Sequence, residues 1–382
     1  MFEKEIAFIK SLYPKREKIP LHEPFFDARE EELVSACLRS GFVSSAGEFV
    51  ERLEEELARF TGARYAVATS SGTAALHTAL LACGVGAQDA VITQALSFVA
   101  TANAIAYTGA EPIFLDSSLE NLSLSAAAVG EFLEKHSFLK EGKSFEKAGG
   151  RRIKALIVMH TFGLAGEVRA LKKLCKKHGI ILIEDAAQAL GSLFKNKNLG
   201  TFGKVGILSF NGNKIITAGL GGALLTNDKS IAAKARHLST TAKIPHPYRF
   251  SHDRVGYNYR LANLNAALLL AQLEKMPRLL EDKRATARLY ESFFEGGECC
   301  EFVREKAEER SNFWLCALKF KRAKWRERFI EECWSEGILV RPIYKSLATL
   351  RPYRHCQKDA LKNTKILEKS LVNLPSSPRL AR

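Results

Sequence analysis

The sequence predicts an α/β fold, with a large domain built on a mostly parallel sheet and a smaller second domain after it. Two observations carry this prediction. Segments of strand and helix alternate from residue 63 onward, and the strand segments are almost continuously apolar. Strands of that kind belong to parallel sheets that helices cover on both faces. With 382 residues, the chain is long enough for two hydrophobic cores.

The predicted elements follow in order along the chain. Apolar spacing over residues 30–60 indicates helix, interrupted by the loop GFVSSAG. The next segments are ARYAVATSS (strand), GTAALHTALLA (helix), AVITQ (strand), ATANAIAYTG (helix), EPIFLD (strand), IKALIVMH (strand, after a polar insertion), VRALKKLCKKHG (helix), and the strands IILIED, VGILSF and GALLT. A helical run covers residues 261–290, and strands near FWLCALKF and GILVRP indicate the second domain. We therefore expect an N-terminal arm over residues 1–20, a large domain over 21–255, and a C-terminal domain with a linking helix over 256–382.

Composition excludes several classes of protein. The hydrophobic content of 46% and the charged content of 26% are ordinary for a globular protein in water. No apolar stretch is long enough to cross a bilayer and the N-terminus lacks a signal-peptide pattern, so we expect a cytoplasmic protein with no membrane partner. The eight cysteines show no metal-binding spacing, so we expect reduced thiols and no metal.

The net charge of +15 admits three explanations: a nucleic-acid-binding surface, an anionic small ligand, or a Lys-rich composition without functional meaning. The basic residues are spread along the chain, outside any helix-turn-helix, zinc-finger or RNP pattern. We therefore expect no nucleic acid partner, and the other two explanations stay open.

Chemically useful side chains follow two of the predicted strands. The strand over residues 180–183 delivers Glu184 and Asp185 to its carboxyl end, where ligands bind in parallel sheets. An acid there can also cap a helix, so both roles stay open. After a strand ending at Ser209, a polar turn presents Lys214 between apolar segments. A lone lysine in a turn is usually solvated, but partial burial would lower its pKa and make it an amine nucleophile.

A third group of residues fits an anion. Residues 70–73, Ser-Ser-Gly-Thr, lie where a strand gives way to a helix, and free N–H groups at a helix N-terminus bind phosphate. Pyridoxal phosphate requires a phosphate anchor, a carboxylate for its ring nitrogen and an amine that forms a Schiff base. The three groups together therefore indicate this cofactor.

The sequence resembles the DegT/DnrJ/EryC1/StrS sugar aminotransferases, which are fold-type I pyridoxal-phosphate enzymes. The likeness extends over residues 21–374 and is carried by GFVSSAG, SSGTAALHTAL, ATANAIAYTGAEPIFLD, HTFG, IEDAAQALGS, SFNGNKIIT, GYNYRLANLNAALLLAQLE, SNFWL and VRPIY. Within the family the chain is most similar to the C4 aminotransferases that act on UDP-4-keto-6-deoxy-GlcNAc in legionaminic acid and bacillosamine pathways. The stretches NGNKIIT and GRRIKALIVMHTFG and the RP segment near Arg341 carry this finer likeness.

The resemblance implies a role for each matching residue. Lys214 and Asp185 would be catalytic, the first as the Schiff-base lysine and the second as the partner of the ring nitrogen of pyridoxal 5′-phosphate. Further cofactor contacts would come from Gly72, Thr73, Phe98, Gln188, Ser209 and Asn258, the last reaching the neighbouring subunit of a homodimer. Substrate contacts would come from Phe42, Val43, Ser44, His160, Arg341, Pro342, Ile343 and Tyr344.

The implied reaction is a ping-pong transamination. Glutamate would give its amino group to the cofactor, leaving the pyridoxamine form, and the C4 ketone of the nucleotide sugar would then receive it, with Lys214 moving the proton in both halves. Such an enzyme would serve bacterial surface-glycan or nonulosonic acid biosynthesis. Amination at C3 of another nucleotide keto sugar stays open and, more remotely, so does a basic regulatory protein. Sugar dehydration does not fit, because the dehydrating relatives replace the lysine by histidine.

Four features depart from the family pattern. Gln188 stands where close relatives often carry Glu, and AGLGG at residues 218–222 replaces TGEGG. The segment KSLATLRPY lacks a histidine after its first leucine, and LPSSPRLAR ends where relatives usually continue into a helix. We expect a shortened domain to affect substrate affinity and to leave the cofactor site intact.

Overall fold

The computed structural model describes residues 1–14 and 16–380. In chain order its strands are β1 (Tyr65–Thr69), β2 (Asp89–Gln94), β3 (Glu111–Leu115), β4 (Ser137–Lys140), β5 (Lys143–Glu146), β6 (Arg152–Met159), β7 (Ile181–Asp185), β8 (Leu193–Phe194), β9 (Lys197–Asn198), β10 (Val205–Ser209), β11 (Gly222–Thr226), β12 (Cys300–Phe302), β13 (Glu309–Arg310), β14 (Cys316–Phe320), β15 (Arg341–Pro342) and β16 (Leu371–Leu374). Its α-helices are α1 (Glu3–Leu12), α2 (Ala28–Ser40), α3 (Glu48–Thr61), α4 (Gly72–Ala82), α5 (Val99–Tyr107), α6 (Ala126–His136), α7 (Val168–His178), α8 (Lys229–Ser239), α9 (Asn263–Glu274), α10 (Met276–Phe293), α11 (Ala323–Ser335) and α12 (Lys362–Ser370). Lys15 of the predicted arm and residues 381–382 of the predicted second domain lie outside this description.

Within the described residues, nine strands form one sheet with the central order β1-β11-β10-β7-β6-β2-β3 and the hairpin β4–β5 beside β6. Strands β10, β7, β6, β2 and β3 pair in parallel, whereas β11 is antiparallel to both of its neighbours. Alternate residues of β6 enter different cores: Leu156 and Val158 join one cluster, and Ala155 and Ile157 join the other. Helices therefore cover both faces, and the predicted α/β fold is confirmed.

The covering helices follow from apolar spacing. In α7, Val168, Leu171 and Cys175 recur at helical intervals and are buried, while lysines occupy the outer face. The helix ends at Gly179, whose φ of 63° suits glycine in the left-handed region. The same logic packs α4, α5 and α8 on one face of the sheet, and α2, α3, α6, α7 and α9 on the other.

Two predicted segments differ in detail from the structure. The polar insertion after α6 folds into the hairpin β4–β5, whose two turn residues, Glu141 and Gly142, both have positive φ. That geometry matches the right-handed twist of a two-stranded hairpin. The helical run over residues 261–290 divides into α9 and α10 at Lys275, because Pro277 in the first turn of α10 has no N–H to continue the hydrogen-bond ladder.

A second, four-stranded sheet with the order β12-β14-β16-β15 lies in the C-terminal part of the described chain. The N-terminal helix packs into the same core, since Phe2 contacts Phe329 and Phe320 with ring centroids 5.2 and 6.0 Å away. The division of the chain into an arm and two domains stays a prediction. No helix among the described residues is long and apolar enough to cross a bilayer.

Candidate active site

A cavity of about 420 Å³ opens where β7 and β10 end at their carboxyl termini. Three parts of the chain meet there: the start of α4, the ends of these two strands, and residues near β14, β15 and β16 from the second sheet. Its lining comprises Leu21, Ser71, Gly72, Thr73, Leu76, Phe98, Ala100, Met159, Asp185, Ala187, Gln188, Ser209, Asn211, Asn213, Lys214, Leu220, Gly221, Trp314, Leu315, Arg341, Pro342, Tyr344 and Asn373. Most of the predicted cofactor residues are therefore brought together in one place.

The start of α4 forms the anion-binding end of the cavity. Ser71 caps the helix, and its side chain accepts a hydrogen bond from the Ala74 N–H at 3.0 Å. The N–H groups of the first helical residues, Gly72 and Thr73, have no partner within a helix and carry the positive end of its dipole. A Cβ at Gly72 would lie only 2.9 Å from the Cβ of Ser209. Glycine therefore allows the helix start and the end of β10 to approach each other around one anion.

Asp185 lies at the end of β7 and is 7% exposed. Its carboxylate accepts a hydrogen bond from the Thr101 hydroxyl at 2.9 Å and another from the Ala187 N–H at 3.2 Å. The Thr101 hydroxyl is in turn 3.1 Å from that of Ser97. Both donors to the carboxylate are neutral, so a cationic ring nitrogen would bring the charge partner that they do not supply.

Gln188 is buried and has a fixed amide orientation. Its Oε1 accepts a hydrogen bond from the Phe162 N–H at 2.7 Å, and its Nε2 donates to the Tyr344 hydroxyl at 2.9 Å. A backbone N–H can only donate, so the amide oxygen must face Phe162 and the NH₂ group must face the cavity side. The NH₂ group also donates to Met159 Sδ at 3.4 Å, so it faces two residues that line the cavity, as the donor that a glutamate carboxylate could not supply.

Lys214 lies half-buried in the cavity wall, in the turn after β10. Its Nζ is 3.9 Å from the centroid of the Trp314 ring, and the Trp314 Nε1–H donates to the Asn213 carbonyl at 2.7 Å. Burial lowers the pKa of Lys214 to about 8, and the nearby Asp185 carboxylate offsets part of that shift. With such a pKa, about a tenth of the amine is unprotonated at pH 7, far more than for an ordinary lysine, and this fraction is a usable nucleophile.

Aromatic side chains and a basic residue line the mouth of the cavity. Phe98 and Tyr344 meet edge to face, with ring centroids 5.9 Å apart. Phe98 is 53% exposed and so has a free ring face. Arg341 is exposed, lines the cavity, and holds its guanidinium 4.8 Å from the centroid of Trp334. Pro342 continues the same edge.

Two predicted substrate residues do not face the cavity. Ile343 is 4% exposed, belongs to the main hydrophobic core, and donates its N–H to the Leu371 carbonyl at 3.3 Å. His160 has no exposed surface, and its ring nitrogens are bonded to Glu184 and to the Gly166 N–H. The geometry does not support a direct contact of either side chain with substrate.

Four other predicted residues lie on the surface, outside the cavity of their own chain. Phe42, Val43 and Ser44 form an exposed loop, which Asn263 of α9 holds through hydrogen bonds to the carbonyls of Phe42 and Ser44 at 2.6 Å each. Asn258 is exposed and forms a bridge with Thr240. Their contacts with substrate and with a neighbouring subunit stay predictions.

Sequence reasoning missed Thr101, Trp314 and Asn373 as site residues. Thr101 lies one helical turn after Phe98 and could have been found from that spacing. Trp314 lies within SNFWL, a stretch that carried the family resemblance without a role for its tryptophan. Asn373 gives no local signal, because its position in the cavity depends on the pairing of β15 with β16.

Pyridoxal phosphate fits this set of residues. The cavity has an anion site at one end, a buried carboxylate and a glutamine NH₂ group along its wall, and an amine of lowered pKa. The described part of the chain holds no group of three or more His, Cys, Asp or Glu side chains suited to a metal ion. Together, the fold and the site define a pyridoxal-phosphate enzyme of fold type I.

Comparison with known proteins gives the family. Residues 24–382 match the DegT/DnrJ/EryC1/StrS aminotransferase family. The chain is 36% identical over 332 residues to EpsN of Bacillus subtilis (strain 168), provisionally named a pyridoxal phosphate-dependent aminotransferase, covering 87% of this chain and 83% of EpsN. It is 33% identical to GDP-perosamine synthase of Escherichia coli O157:H7, covering 95% and 94% of the two chains. The chain therefore belongs to the DegT/DnrJ/EryC1/StrS family and is a pyridoxal-phosphate aminotransferase.

Solved structures agree with this assignment. A family aminotransferase from Brucella abortus superimposes with a TM-score of 0.83 at 27% identity, covering 93% of this chain and 92% of that one. Helicobacter pylori PseC, an aminotransferase involved in the biosynthesis of pseudoaminic acid, superimposes with a TM-score of 0.85 at 25% identity, covering 94% and 93%. The resemblance found in the sequence is therefore confirmed at the level of family, fold and cofactor.

Proposed function

We propose that this enzyme transfers an amino group from glutamate to the C4 ketone of a nucleotide-linked 4-keto-6-deoxy sugar, UDP-4-keto-6-deoxy-GlcNAc in the first place. The reaction would take place in the cytosol and serve bacterial surface-glycan or nonulosonic acid biosynthesis. The observation that carries the proposal is the position of Lys214 in one cavity with Asp185 and the start of α4, below a mouth that ends at the basic residue Arg341.

Different residues of the cavity would have different roles in the reaction. When bound, pyridoxal phosphate supplies an aldehyde for amine condensation and a ring that accepts electrons from the reacting carbon. The N–H groups of Gly72 and Thr73 would hold the phosphate, and Asp185 would keep a proton on the ring nitrogen. Lys214, with its pKa of about 8, can both take and return a proton near neutral pH.

The mouth of the cavity suits the diphosphate of a nucleotide sugar. Arg341 pairs with Asn373 across β15 and β16, and both side chains line the cavity. A guanidinium binds phosphate oxygens in a bidentate manner, and stacking on Trp334 limits the freedom of this one. Arg341 would hold the nucleotide diphosphate while the sugar enters toward Lys214.

We also propose that two copies of the chain form a homodimer with shared active sites. Asn258 is exposed outside its own cavity, which supports the predicted contact with the cofactor phosphate of the other subunit. Phe42 is 64% exposed and Phe250 is 82% exposed. A second copy would cover them and would bring the Phe42–Ser44 loop toward substrate.

The relatives bear on the nucleotide of the substrate. The GDP-perosamine synthases of Escherichia coli O157:H7 and Vibrio cholerae are both 33% identical to this chain and are named for a GDP-linked product. A GDP-linked 4-keto-6-deoxy sugar is therefore the second candidate substrate.

The test is incubation of the holoenzyme with glutamate and a panel of UDP-, GDP- and dTDP-linked keto sugars, followed by mass spectrometry and NMR of the product. We expect 2-oxoglutarate and the UDP-linked 4-amino sugar in equal amounts. Amination of the GDP-linked sugar alone would favour the second candidate, and amination of a 3-keto sugar alone would contradict both. The Lys214→Ala protein is the matched control and should form neither product.

A further inference from the structure

His160 and Glu184 form a buried pair directly behind the cavity wall. Neither side chain has any exposed surface, and the His160 Nε2 is 3.0 Å from Glu184 Oε2. The other ring nitrogen, Nδ1, accepts a hydrogen bond from the Gly166 N–H at 3.1 Å. Because Nδ1 is an acceptor, a neutral ring carries its proton on Nε2 and donates it to the carboxylate. Both nitrogens of His160 are thus used within the protein.

Glu184 is a fixed support for this ring. Its carboxylate also accepts hydrogen bonds from the N–H groups of Phe202 and Gly203 at 2.6 Å each, and of Gly200 at 2.9 Å. Burial raises the pKa of Glu184, but the hydrogen bonds from His160, Gly203 and Gly200 outweigh it and hold the pKa below its ordinary value. The carboxylate is therefore ionised and anchored.

His160 closes the loop over residues 160–166. Its N–H donates to the Asp185 carbonyl at 3.0 Å, and its ring accepts from Gly166 at the far end of the loop. Between these two points, Phe162 has a φ of 57°, in the left-handed region that a bulky side chain rarely adopts. A conformation of this kind costs about 1 kcal/mol or more and persists only when its surroundings hold it.

Phe162, the residue in this strained conformation, is hydrogen-bonded directly to Gln188 of the cavity wall. The Phe162 N–H donates to Gln188 Oε1 at 2.7 Å, so the orientation of the Gln188 amide depends on the conformation of the loop. With the oxygen held, the NH₂ group donates to the Tyr344 hydroxyl at 2.9 Å and to Met159 Sδ at 3.4 Å, two groups of the cavity wall that a bound cofactor oxygen would replace or join as acceptors. A rotated amide would present an acceptor at the place where an anionic ring oxygen of the cofactor requires a donor.

We propose that His160 is a positioning residue: by closing the 160–166 loop on the support of Glu184, it keeps the Phe162 N–H on the Gln188 oxygen and the Gln188 NH₂ group on the cofactor. This inference rests on the proposed role of Gln188 at the ring hydroxyl. It gives His160 a function that needs no contact with substrate.

The measured quantity is the pH midpoint of the visible absorbance of the imine between Lys214 and the cofactor, in purified holoenzyme. A donor to the ring oxygen lowers this midpoint by reducing the electron density that holds the imine proton. His160→Gln keeps a donor for Glu184 but loses the acceptor for Gly166, and it should raise the midpoint by about one pH unit, the size of one hydrogen bond to a charged group. His160→Asn, whose amide oxygen can replace Nδ1 as the acceptor for Gly166 but which gives up the donor to Glu184, should raise the midpoint less than His160→Gln.

A double-mutant cycle separates positioning from general destabilisation. Gln188→Met removes the donor and should raise the midpoint by itself; an unchanged midpoint in this variant would show that the proposed role of Gln188 is wrong. His160→Gln added to Gln188→Met should cause no further rise. An equal rise in both backgrounds, or no rise from His160→Gln when Gln188→Met does raise the midpoint, would overturn the role of His160 alone.

A measurement on the unmodified chain covers the case in which His160→Gln folds poorly. If the protein itself fixes the Gln188 amide, the Phe162 N–H should be protected from hydrogen exchange both in the holoenzyme and after removal of the cofactor. Protection that appears only with the cofactor, or in neither state, would overturn the proposal.

Discussion

Two lysines of this chain have strongly lowered pKa values but lie in different surroundings. Burial lowers the pKa of Lys214 to about 8 and that of Lys283, in α10, to about 7. Lys214 lies in the turn after β10 and lines the cavity, with its Nζ next to the Trp314 ring. Lys283 is 2% exposed, is absent from the cavity lining, and donates from its Nζ to the Ser376 carbonyl.

The difference shows that access, rather than the size of a pKa shift, makes a lysine a catalytic candidate. Lys283 has the larger shift, but it is enclosed by protein and ties the segment after β16 to α10. Lys214 lines one cavity together with a carboxylate, Asp185, and with the anion site at the start of α4. A perturbed pKa is a reason to inspect a residue, and its surroundings then decide its role.

The largest expected effect distinguishes the two lysines directly. Lys214→Ala should abolish the absorbance band of the cofactor imine and reduce turnover by about 10⁴-fold or more, because the same residue would be both nucleophile and proton carrier. Lys283→Met, measured in the same absorbance titration and the same assay, should keep both. Loss of cofactor absorbance in Lys283→Met, with Lys214→Ala unaffected, would reverse the comparison.

The Asp185 carboxylate should influence the pKa of Lys214 and leave that of Lys283 unchanged. Asp185→Asn should reduce turnover by about 10² to 10³-fold, the range for loss of one preorganised electrostatic contact. Because Asp185 raises the pKa of Lys214, the same substitution should lower the pH midpoint for capture of pyridoxal phosphate by the apoprotein, from about 8 in the wild type. Stopped-flow absorbance against pH measures this midpoint, and an upward shift would contradict the assignment.

Lys283 should weaken the fold below pH 7 and regain stability as the pH rises. Its pKa is about 7 when folded, against the ordinary lysine value of 10.5, so the unfolded state binds the proton more tightly between these values. Lys283→Met should therefore raise the unfolding free energy by about 3 kcal/mol near pH 6, after allowance for the lost hydrogen bond to Ser376. The gain should shrink from pH 7 to 10.5 in urea titrations, and a gain independent of pH would argue against a neutral buried amine.

The smallest expected effect concerns the support of Asp185. Thr101→Val removes the hydroxyl that donates to the carboxylate at 2.9 Å while nearly preserving shape, and should reduce kcat about tenfold. Ser97→Ala removes only the next hydroxyl in the chain of contacts and should have a smaller effect. A steady-state assay of both variants decides between them, and equal losses would mean that the hydroxyl pair acts as one unit.

Much of the fold was predictable from local pattern. Strands such as β6 and β7 were predictable because a strand buried on both faces requires a continuous apolar run. Helix α7 was predictable from the helical spacing of its apolar residues. The division between α9 and α10 was available from Pro277, and the β4–β5 hairpin from Glu141-Gly142, but both signals depend on one or two residues within longer patterns. The last strand of the second sheet was not predicted, because four residues carry too little periodicity.

The sequence by itself identified the family, the cofactor and the candidate residues for the chemistry. Lys214, Asp185 and the Ser-Ser-Gly-Thr turn were identifiable because each stands at the end of a strand or the start of a helix, where local order dictates its position. Only the tertiary structure decided which neighbours assist them. In the structure Trp314 contacts Lys214, and the Thr101 hydroxyl donates to Asp185. Ile343 lies in the hydrophobic core, and His160 is buried in contact with Glu184. Such contacts join residues far apart in the chain, and they arise from packing, which no short stretch of sequence encodes.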